Sequence, residues 1–148
     1  VIVHPQSIIH SMLQFEDGSI KAQMGLPDMK LPIQYALGYP QRIANNFSRF
    51  NFVNYPQLTF EQPDKTTFRA LQLAFDTLDA GKSAPCILNA ANEIAVAAFL
   101  ADKIGFLQIA EIVEETLNKV ENTASTSIAA YVEKDKEARM VATQLINK

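Results

Sequence analysis

Alternating apolar and polar positions fill the first part of the chain and predict β-strands. Two such runs, Ile8 to Phe15 and Ser19 to Met24, are separated by Glu16-Asp17-Gly18. An Asp-Gly pair between two alternating runs is a strong signal for a tight turn. The pattern therefore predicts a β-hairpin. A loop is expected at Gly25 to Asp28, because Pro27 has no N–H group to donate to a strand partner.

A short helix and a long connector follow the hairpin. Pro32 suits the first turn of a helix that passes through Leu37 and ends before Gly38. Residues 41–65 then show neither helical nor strand periodicity, and they contain several aromatic residues: Phe47, Phe50, Phe52, Tyr55 and Phe60. A connector of this length is unusual inside a compact domain, so we expect a linker whose aromatic side chains pack against neighbouring parts of the protein.

After residue 65 the apolar positions recur at helical spacing. The first stripe consists of Phe68, Leu71, Phe75 and Leu78, and Gly81 follows at the position of a left-handed C-terminal cap. A second helix, from about Pro85 to Lys103, is apolar on nearly every side and is expected to be the buried centre of a bundle. The third stripe consists of Ile109, Ile112, Val113, Thr116, Leu117 and Val120.

The end of the chain predicts two further helices. After a break over residues 122–127, a short helix from Ile128 to Val132 is expected to end near Asp135, which would cap a last helix. Connections this short place successive helices antiparallel. The predicted fold class is α+β and mostly α: an N-terminal β-hairpin and short helix in residues 1–40, a long linker in residues 41–65, and an antiparallel helical bundle in residues 66–148.

Composition and charge argue against several classes of function. The formal net charge is −3 and no Lys/Arg cluster stands out, so neither nucleic acid nor a membrane surface is an expected partner. No apolar stretch approaches the roughly 20 residues that span a bilayer, and we expect a cytoplasmic protein. The single cysteine, Cys86, cannot form an intrachain disulfide and is interpreted as a small buried apolar residue.

The residues by themselves offer little catalytic chemistry. The sequence has no glycine-rich phosphate loop, no nucleophile elbow and no Cys/His spacing typical of a metal site. On a continuous strand His4 and His10 would lie about 20 Å apart, too far to share an ion, so no metal ligand is predicted. Either imidazole alone stays open as a proton carrier, a substrate-binding group or a structural residue.

A polar stripe interrupts the apolar second helix. Asn89, Asn92 and Glu93 share one face through spacings of three and four residues. The favoured interpretation is a hydrogen-bonded tie between helices, and the alternative is a small site in a groove of the bundle.

Several blocks of the sequence carry a family resemblance, in this order: His4 to Met12, Phe15 to Ser19, Gly25 to Met29, Leu31 to Leu37, Leu58-Thr59-Phe60, Pro63-Asp64, Leu88 to Glu93 and Ala97 to Leu100. They resemble the later part of the reductoisomerases of the non-mevalonate (MEP) pathway of isoprenoid biosynthesis. The likeness covers nearly the whole chain. Together with the apolar start Val1-Ile2-Val3, it leads us to expect a C-terminal fragment of a longer protein.

The resemblance implies an enzyme that is both oxidoreductase and isomerase. Such an enzyme converts 1-deoxy-D-xylulose 5-phosphate to 2-C-methyl-D-erythritol 4-phosphate with NADPH and with Mg²⁺ or Mn²⁺, and forms a homodimer. In these terms residues 1–40 are the end of the catalytic domain. The family's Asn-Lys-x-x-Glu motif is absent here, as are its acidic metal ligands, so the isolated chain is expected to be inactive and to bind neither cofactor nor metal.

The resemblance also implies a short list of site residues. It places His4 in the active-site region as a catalytic candidate, and Pro27, Asp28 and Met29 in a loop near the nicotinamide and the substrate. The block at Asn89 to Glu93 falls in the helical domain, which favours its structural interpretation. The alternative function is an autonomous helical module with a β-arm that binds a protein partner.

Overall fold

The computed structural model describes residues 1–124 and 127–147, which contain two β-strands and five α-helices. The strands are β1 (Ile9–Gln14) and β2 (Ile20–Met24). The helices are α1 (Lys30–Gly38), α2 (Arg69–Ala80), α3 (Ala84–Leu100), α4 (Phe106–Lys119) and α5 (Ile128–Ile146). The predicted α+β fold class is confirmed. Two compact units, Val1–Pro63 and Asp64–Lys148, make up the chain, whereas the predicted division after residues 40 and 65 stays a prediction.

The β-hairpin forms where the alternating pattern predicts it. Strand β1 pairs antiparallel with β2, and the turn closes through a hydrogen bond from the Phe15 N–H to the Ser19 carbonyl at 2.9 Å. Gly18 has φ 84°, a left-handed conformation that costs glycine little. The Asp17 carboxylate accepts hydrogen bonds from the Ser19 hydroxyl and N–H, which lower the pKa of Asp17. The register shifts between Ile9 and Ser11, so a β-bulge lies at His10.

Helix α3 is the centre of the second unit, as its nearly uniform apolar character predicts. It packs against α2, α4 and α5. Its buried residues are mostly alanines, which allow the neighbouring helices to approach closely: Ala84, Ile87, Ala90, Ala91, Ala95 and Ala98. The stripe predicted for α4 is also confirmed, with Ile112, Val113 and Thr116 buried and Val120 buried just beyond the helix.

The face of α2 that enters the core differs from the predicted stripe. Leu73 and Thr77 are buried, while Phe68 and Leu78 are 64% and 70% exposed. An ion pair accompanies this orientation: the guanidinium of Arg69 donates to the Glu114 carboxylate of α4, which lowers the pKa of Glu114. Residues 69, 73 and 77 lie four apart on one face of the helix, so the buried Leu73 and Thr77 share a face with the Arg69 that reaches α4.

Helix α5 is continuous where the sequence predicts two pieces. The predicted break over residues 122–127 includes residues 125 and 126, which lie outside the described residues. Asp135, interpreted as a cap, lies within α5 and accepts a hydrogen bond from Nε of Arg139 one turn later at 2.7 Å. Because this carboxylate is paired with a side chain and no Gly or Pro occurs between 128 and 146, nothing ends the helix there.

Replacing Ile87 by alanine should lower the free energy of unfolding by about 3 kcal/mol. Ile87 is 0% exposed in the core that α3 forms with Ala138 of α5, so truncation removes buried methyl groups and leaves a cavity. Urea unfolding followed by the helical circular dichroism signal measures the change. Leu107→Ala, at a position that is 74% exposed on α4, is the control and should change stability little. Equal losses in both variants would contradict the central position of α3.

Candidate functional site

The first residues of the chain pair with the end of the linker inside the first unit. Val3 and Glu61 form an antiparallel bridge, with hydrogen bonds of 3.0 Å from the Val3 N–H and 2.9 Å from the Glu61 N–H. This pairing brings His4 next to Thr59 and Phe60 of the linker. The aromatic-rich connector is therefore held to the N-terminal segment by its backbone at this point.

The imidazole of His4 is fixed by three features of this pairing. Its Nδ1 lies 2.8 Å from the carbonyl oxygen of Thr59, and a carbonyl only accepts, so Nδ1 carries the proton. The ring stacks on Phe60, with centroids 4.7 Å apart and planes 17° from parallel. Nε2 is buried and has no hydrogen-bond partner within the described residues. We call His4, Gln6, Thr59 and Phe60 the His4 site.

Gln6 and Thr59 belong to the His4 site, although no spacing or motif in the sequence singles them out. The Gln6 amide donates to Thr59 Oγ1 at 2.8 Å, and the Thr59 N–H donates back to Gln6 Oε1 at 3.1 Å. Both residues fall inside blocks that carry the family resemblance, which was the one available signal. Their contact joins positions 53 residues apart, and no local pattern reports such a pairing.

The loop before α1 borders a cavity of about 220 Å³ in the same unit. Met29 is 67% exposed at its edge, and the Asp28 carboxylate accepts the Lys30 N–H at 2.9 Å, which shapes the turn into the helix. The cavity is lined by His10, Gln23, Gly25, Leu26, Asp28, Met29, Leu31 and Pro32. Of the predicted site residues, the structure therefore brings Asp28 and Met29 together here. Neither His4 nor Pro27 is among these lining residues.

His10 also lines this cavity, and the sequence left it open as a proton carrier, a substrate-binding group or a structural residue. It lies at the β-bulge of β1, where the extra residue changes the direction of a side chain. Its Nδ1 is 3.2 Å from the carbonyl oxygen of Ile8. A bulge depends on how two strands pair, so strict alternation along β1 alone gives no sign of it.

The polar stripe of α3 is a tie between helices, which agrees with its favoured interpretation. Asn89 donates to Glu93 at 3.0 Å, and Arg139 of α5 donates to the other Glu93 oxygen at 2.6 Å. Hydrogen bonds from Arg139 and then Asn89 lower the pKa of Glu93. Those from Arg139 to Asp135 and Glu93 raise the pKa of Arg139. Asn92 is exposed and contributes nothing to this network among the described residues.

This tie should weaken in acid. A folded-state pKa below the ordinary 4.5 means that Glu93 stabilises the fold above that pH and loses its contribution as pH falls through the lowered value. Glu93→Gln should therefore unfold a few degrees earlier than the wild type at pH 7 and equally early well below pH 4.5. Thermal unfolding at the two pH values and low salt tests this. Glu111→Gln, on the exposed face of α4, is the control, and an acid-insensitive difference at Glu93 would contradict the prediction.

The described residues do not provide a complete metal site. No three His, Cys, Asp or Glu side chains in residues 1–124 and 127–147 lie close enough to hold an ion together. The carboxylates of Glu93 and Glu114 are already paired with arginines. The donor set of this chain therefore does not fit a divalent ion on its own. None of the helices in the described part of the chain is long and apolar enough to cross a membrane.

Comparisons with known proteins all point to one family. The family model described as DXP reductoisomerase C-terminal domain matches residues 24–141. A 1-deoxy-D-xylulose 5-phosphate reductoisomerase of Phocaeicola vulgatus is 52% identical over 99% of this chain and 38% of its own length. The corresponding protein of Acinetobacter baumannii strain SDF is 56% identical over 99% of this chain and 37% of its own length.

Solved structures give the same result. The enzyme from Zymomonas mobilis in complex with NADPH matches 99% of this chain and 39% of its own, with a TM-score of 0.84 and 46% identity. A DOX-P reductoisomerase in complex with NADPH, fosmidomycin and magnesium matches 99% of this chain and 38% of its own, with a TM-score of 0.82 and 37% identity. The chain thus spans about 38% of the length of the curated relatives it matches.

Proposed function

This chain belongs to the 1-deoxy-D-xylulose 5-phosphate reductoisomerase family, and from that premise we propose that it works as the C-terminal part of such an enzyme. The complete enzyme would convert 1-deoxy-D-xylulose 5-phosphate to 2-C-methyl-D-erythritol 4-phosphate as a homodimer. One observation carries this proposal: 52% identity to a protein of that name extends over 99% of the chain.

NADPH and Mg²⁺ or Mn²⁺ complete the proposed activity in the longer protein. When bound, the ion polarises the substrate's ketone and hydroxyl oxygens, and the nicotinamide supplies hydride. The residues of this chain do not fit either group alone, since the described residues lack a cluster of metal ligands and the sequence lacks a glycine-rich phosphate loop. We therefore assign both groups to binding sites completed by other parts of the enzyme.

Two parts of the first unit support a role for this chain in that site. The cavity beside Met29 is about 220 Å³, below the roughly 300 Å³ at which small-molecule pockets begin, so it is too small to hold cofactor or substrate by itself. The exposed Met29 thioether is flexible and polarisable, which suits contact with a flat ring such as nicotinamide. At the His4 site, Nε2 offers a bare hydrogen-bond acceptor.

The activity of the chain and of the complete protein separates this proposal from its alternative. Each is mixed with NADPH, Mn²⁺ and 1-deoxy-D-xylulose 5-phosphate, and the absorbance of reduced nicotinamide is followed. The complete protein should turn over substrate, and the 148-residue chain should not exceed a control without protein. Turnover by the chain that is lost on substitution of His4 or Met29 would contradict the proposed division of labour. An inactive complete protein would favour the interaction module.

A further inference from the structure

One atom of His4 is unusual: its ring nitrogen Nε2 is buried and has no hydrogen-bond partner among the described residues. A buried polar atom without a partner is uncommon, because it loses its hydrogen bonds to water and gains nothing in return. Nε2 of His4 is in this position within the described residues, while Nδ1 on the same ring is fully engaged with the Thr59 carbonyl. The ring thus has one nitrogen that is hydrogen-bonded and one buried nitrogen whose partner the described residues do not supply.

Thr59, whose carbonyl sets this tautomer, is held by Gln6 through its side chain and its backbone N–H. The side chain of Gln6 donates to Thr59 Oγ1 at 2.8 Å and accepts from the Thr59 N–H at 3.1 Å, and its Oε1 is also 3.2 Å from Thr59 Oγ1. Gln6 therefore contacts Thr59 at both its side chain and its backbone N–H. These contacts hold the residue whose carbonyl accepts the His4 proton.

The choice of tautomer matters because the two ring nitrogens have opposite roles. A neutral imidazole donates from one nitrogen and accepts at the other, and the partner of the first nitrogen decides the role of the second. In water a histidine side chain carries its proton mainly on Nε2. Without the Thr59 carbonyl, Nε2 of His4 would therefore be mostly a donor. The stacked ring of Phe60 keeps the imidazole from turning away.

We propose that Gln6 and Thr59 are positioning residues that hold His4 in its Nδ1-protonated tautomer and so leave Nε2 as the accepting nitrogen of the ring. The tautomer itself follows from contacts within this chain. Only its catalytic use rests on the proposed function. Gln6 and Thr59 act through His4 and need no contact with substrate.

The tautomer of His4 can be measured by ¹⁵N NMR spectroscopy of the 148-residue chain. Histidine is labelled with ¹⁵N, and since the chain has only His4 and His10, two pairs of ring signals are expected. In the wild type His4 should show a protonated Nδ1 and a bare Nε2. Gln6→Leu removes the hydrogen bonds to Thr59 but keeps the Val3–Glu61 bridge. It should lower the ratio of the Nδ1–H tautomer to the Nε2–H tautomer about fivefold, which corresponds to roughly one net hydrogen bond.

A second variant and an internal reference complete the design. Thr59→Val removes the hydroxyl contacts and keeps the N–H donation to Gln6, so it should shift the ratio in the same direction by less. His10 should keep its tautomer in both variants, because its Nδ1 faces the Ile8 carbonyl and not Thr59. If Gln6→Leu loses the amide signals of the bridge, Thr59→Val decides.

Either of two results would overturn the inference. It fails if wild-type His4 carries its proton on Nε2, or if a folded Gln6→Leu or a deciding Thr59→Val leaves the tautomer ratio unchanged. The tautomer ratio is measured without substrate, so its outcome does not depend on whether the proposed function is correct. In the complete enzyme, Gln6→Leu should lower kcat/KM in proportion to the fall in the fraction of His4 that carries its proton on Nδ1, which is less than the roughly fivefold fall in the tautomer ratio. An altered tautomer without altered kinetics would refute the catalytic use alone.

Discussion

Substituting His4 by asparagine should lower kcat/KM of the complete enzyme about a hundredfold while leaving the fold intact. An asparagine amide nitrogen occupies roughly the place of imidazole Nδ1, so the variant can still donate to the Thr59 carbonyl. It has nothing in the place of Nε2. Because Nε2 has no partner among the described residues, its loss removes no hydrogen bond of the isolated chain, and the main effect is expected on catalysis.

Two further substitutions at this position make the result specific. His4→Gln places an amide near the position of Nε2 and should recover part of the activity, since its oxygen can accept the same hydrogen bond. His4→Phe keeps the stack on Phe60 but loses both nitrogens, and it should be at least as impaired as His4→Asn. Steady-state kinetics with varied substrate and saturating NADPH measure all three. Wild-type kinetics in His4→Asn would remove Nε2 from the site.

Features that depend on local sequence were predictable. The hairpin follows from two alternating runs and an Asp-Gly turn, which together leave one pairing that places Gly18 at the left-handed position. Helix α3 follows from its length and its apolar character on most sides, because such a helix is stable only when neighbours surround it. In both cases the information lies within about twenty residues of sequence.

Features that depend on distant partners were not predictable from the pattern. Helix α2 buries Leu73 and Thr77 and leaves Phe68 and Leu78 exposed, and its contact with α4 joins Arg69 to Glu114, 45 positions away. The continuity of α5 depends on whether Asp135 pairs with Arg139 or caps a helix, and both are plausible from the sequence. The His4 site has the same origin, since Gln6 meets Thr59 only after the linker folds back.

The candidate residues were identified by resemblance rather than by spacing. His4 and Met29 stand out in no periodic pattern, and a lone histidine near a hairpin or a methionine after a turn is usually structural. The structure adds reasons that the sequence did not contain: a buried, unpartnered Nε2 within the described residues and an exposed thioether beside a cavity. The role of each residue can therefore be tested by substitutions that remove one group, Nε2 of His4 or the thioether of Met29.

Met29→Asp should also lower kcat/KM of the complete enzyme about a hundredfold, through a different cause. The side chain is 67% exposed at the edge of the cavity, so a carboxylate there is solvated and the fold should tolerate it. Asp28 already places one carboxylate at this loop, and a second would repel the phosphate groups of both cofactor and substrate. The variant also loses the polarisable surface that would contact the nicotinamide ring.

Charge and contact can be separated at this position. Met29→Leu keeps an apolar side chain of similar volume and should lose only a few-fold in kcat/KM, whereas Met29→Asp should lose most of it, with KM for NADPH or substrate rising. Met140→Asp introduces the same carboxylate at a methionine that is 59% exposed on α5, and it should leave the kinetics unchanged. Circular dichroism and thermal unfolding of all three variants guard against misfolding. If Met29 contacts the nicotinamide, only the carboxylate at position 29 should lower kcat/KM. Equal losses in Met29→Asp and Met140→Asp would mean that added negative charge anywhere on the protein causes the effect, and would contradict this role of Met29.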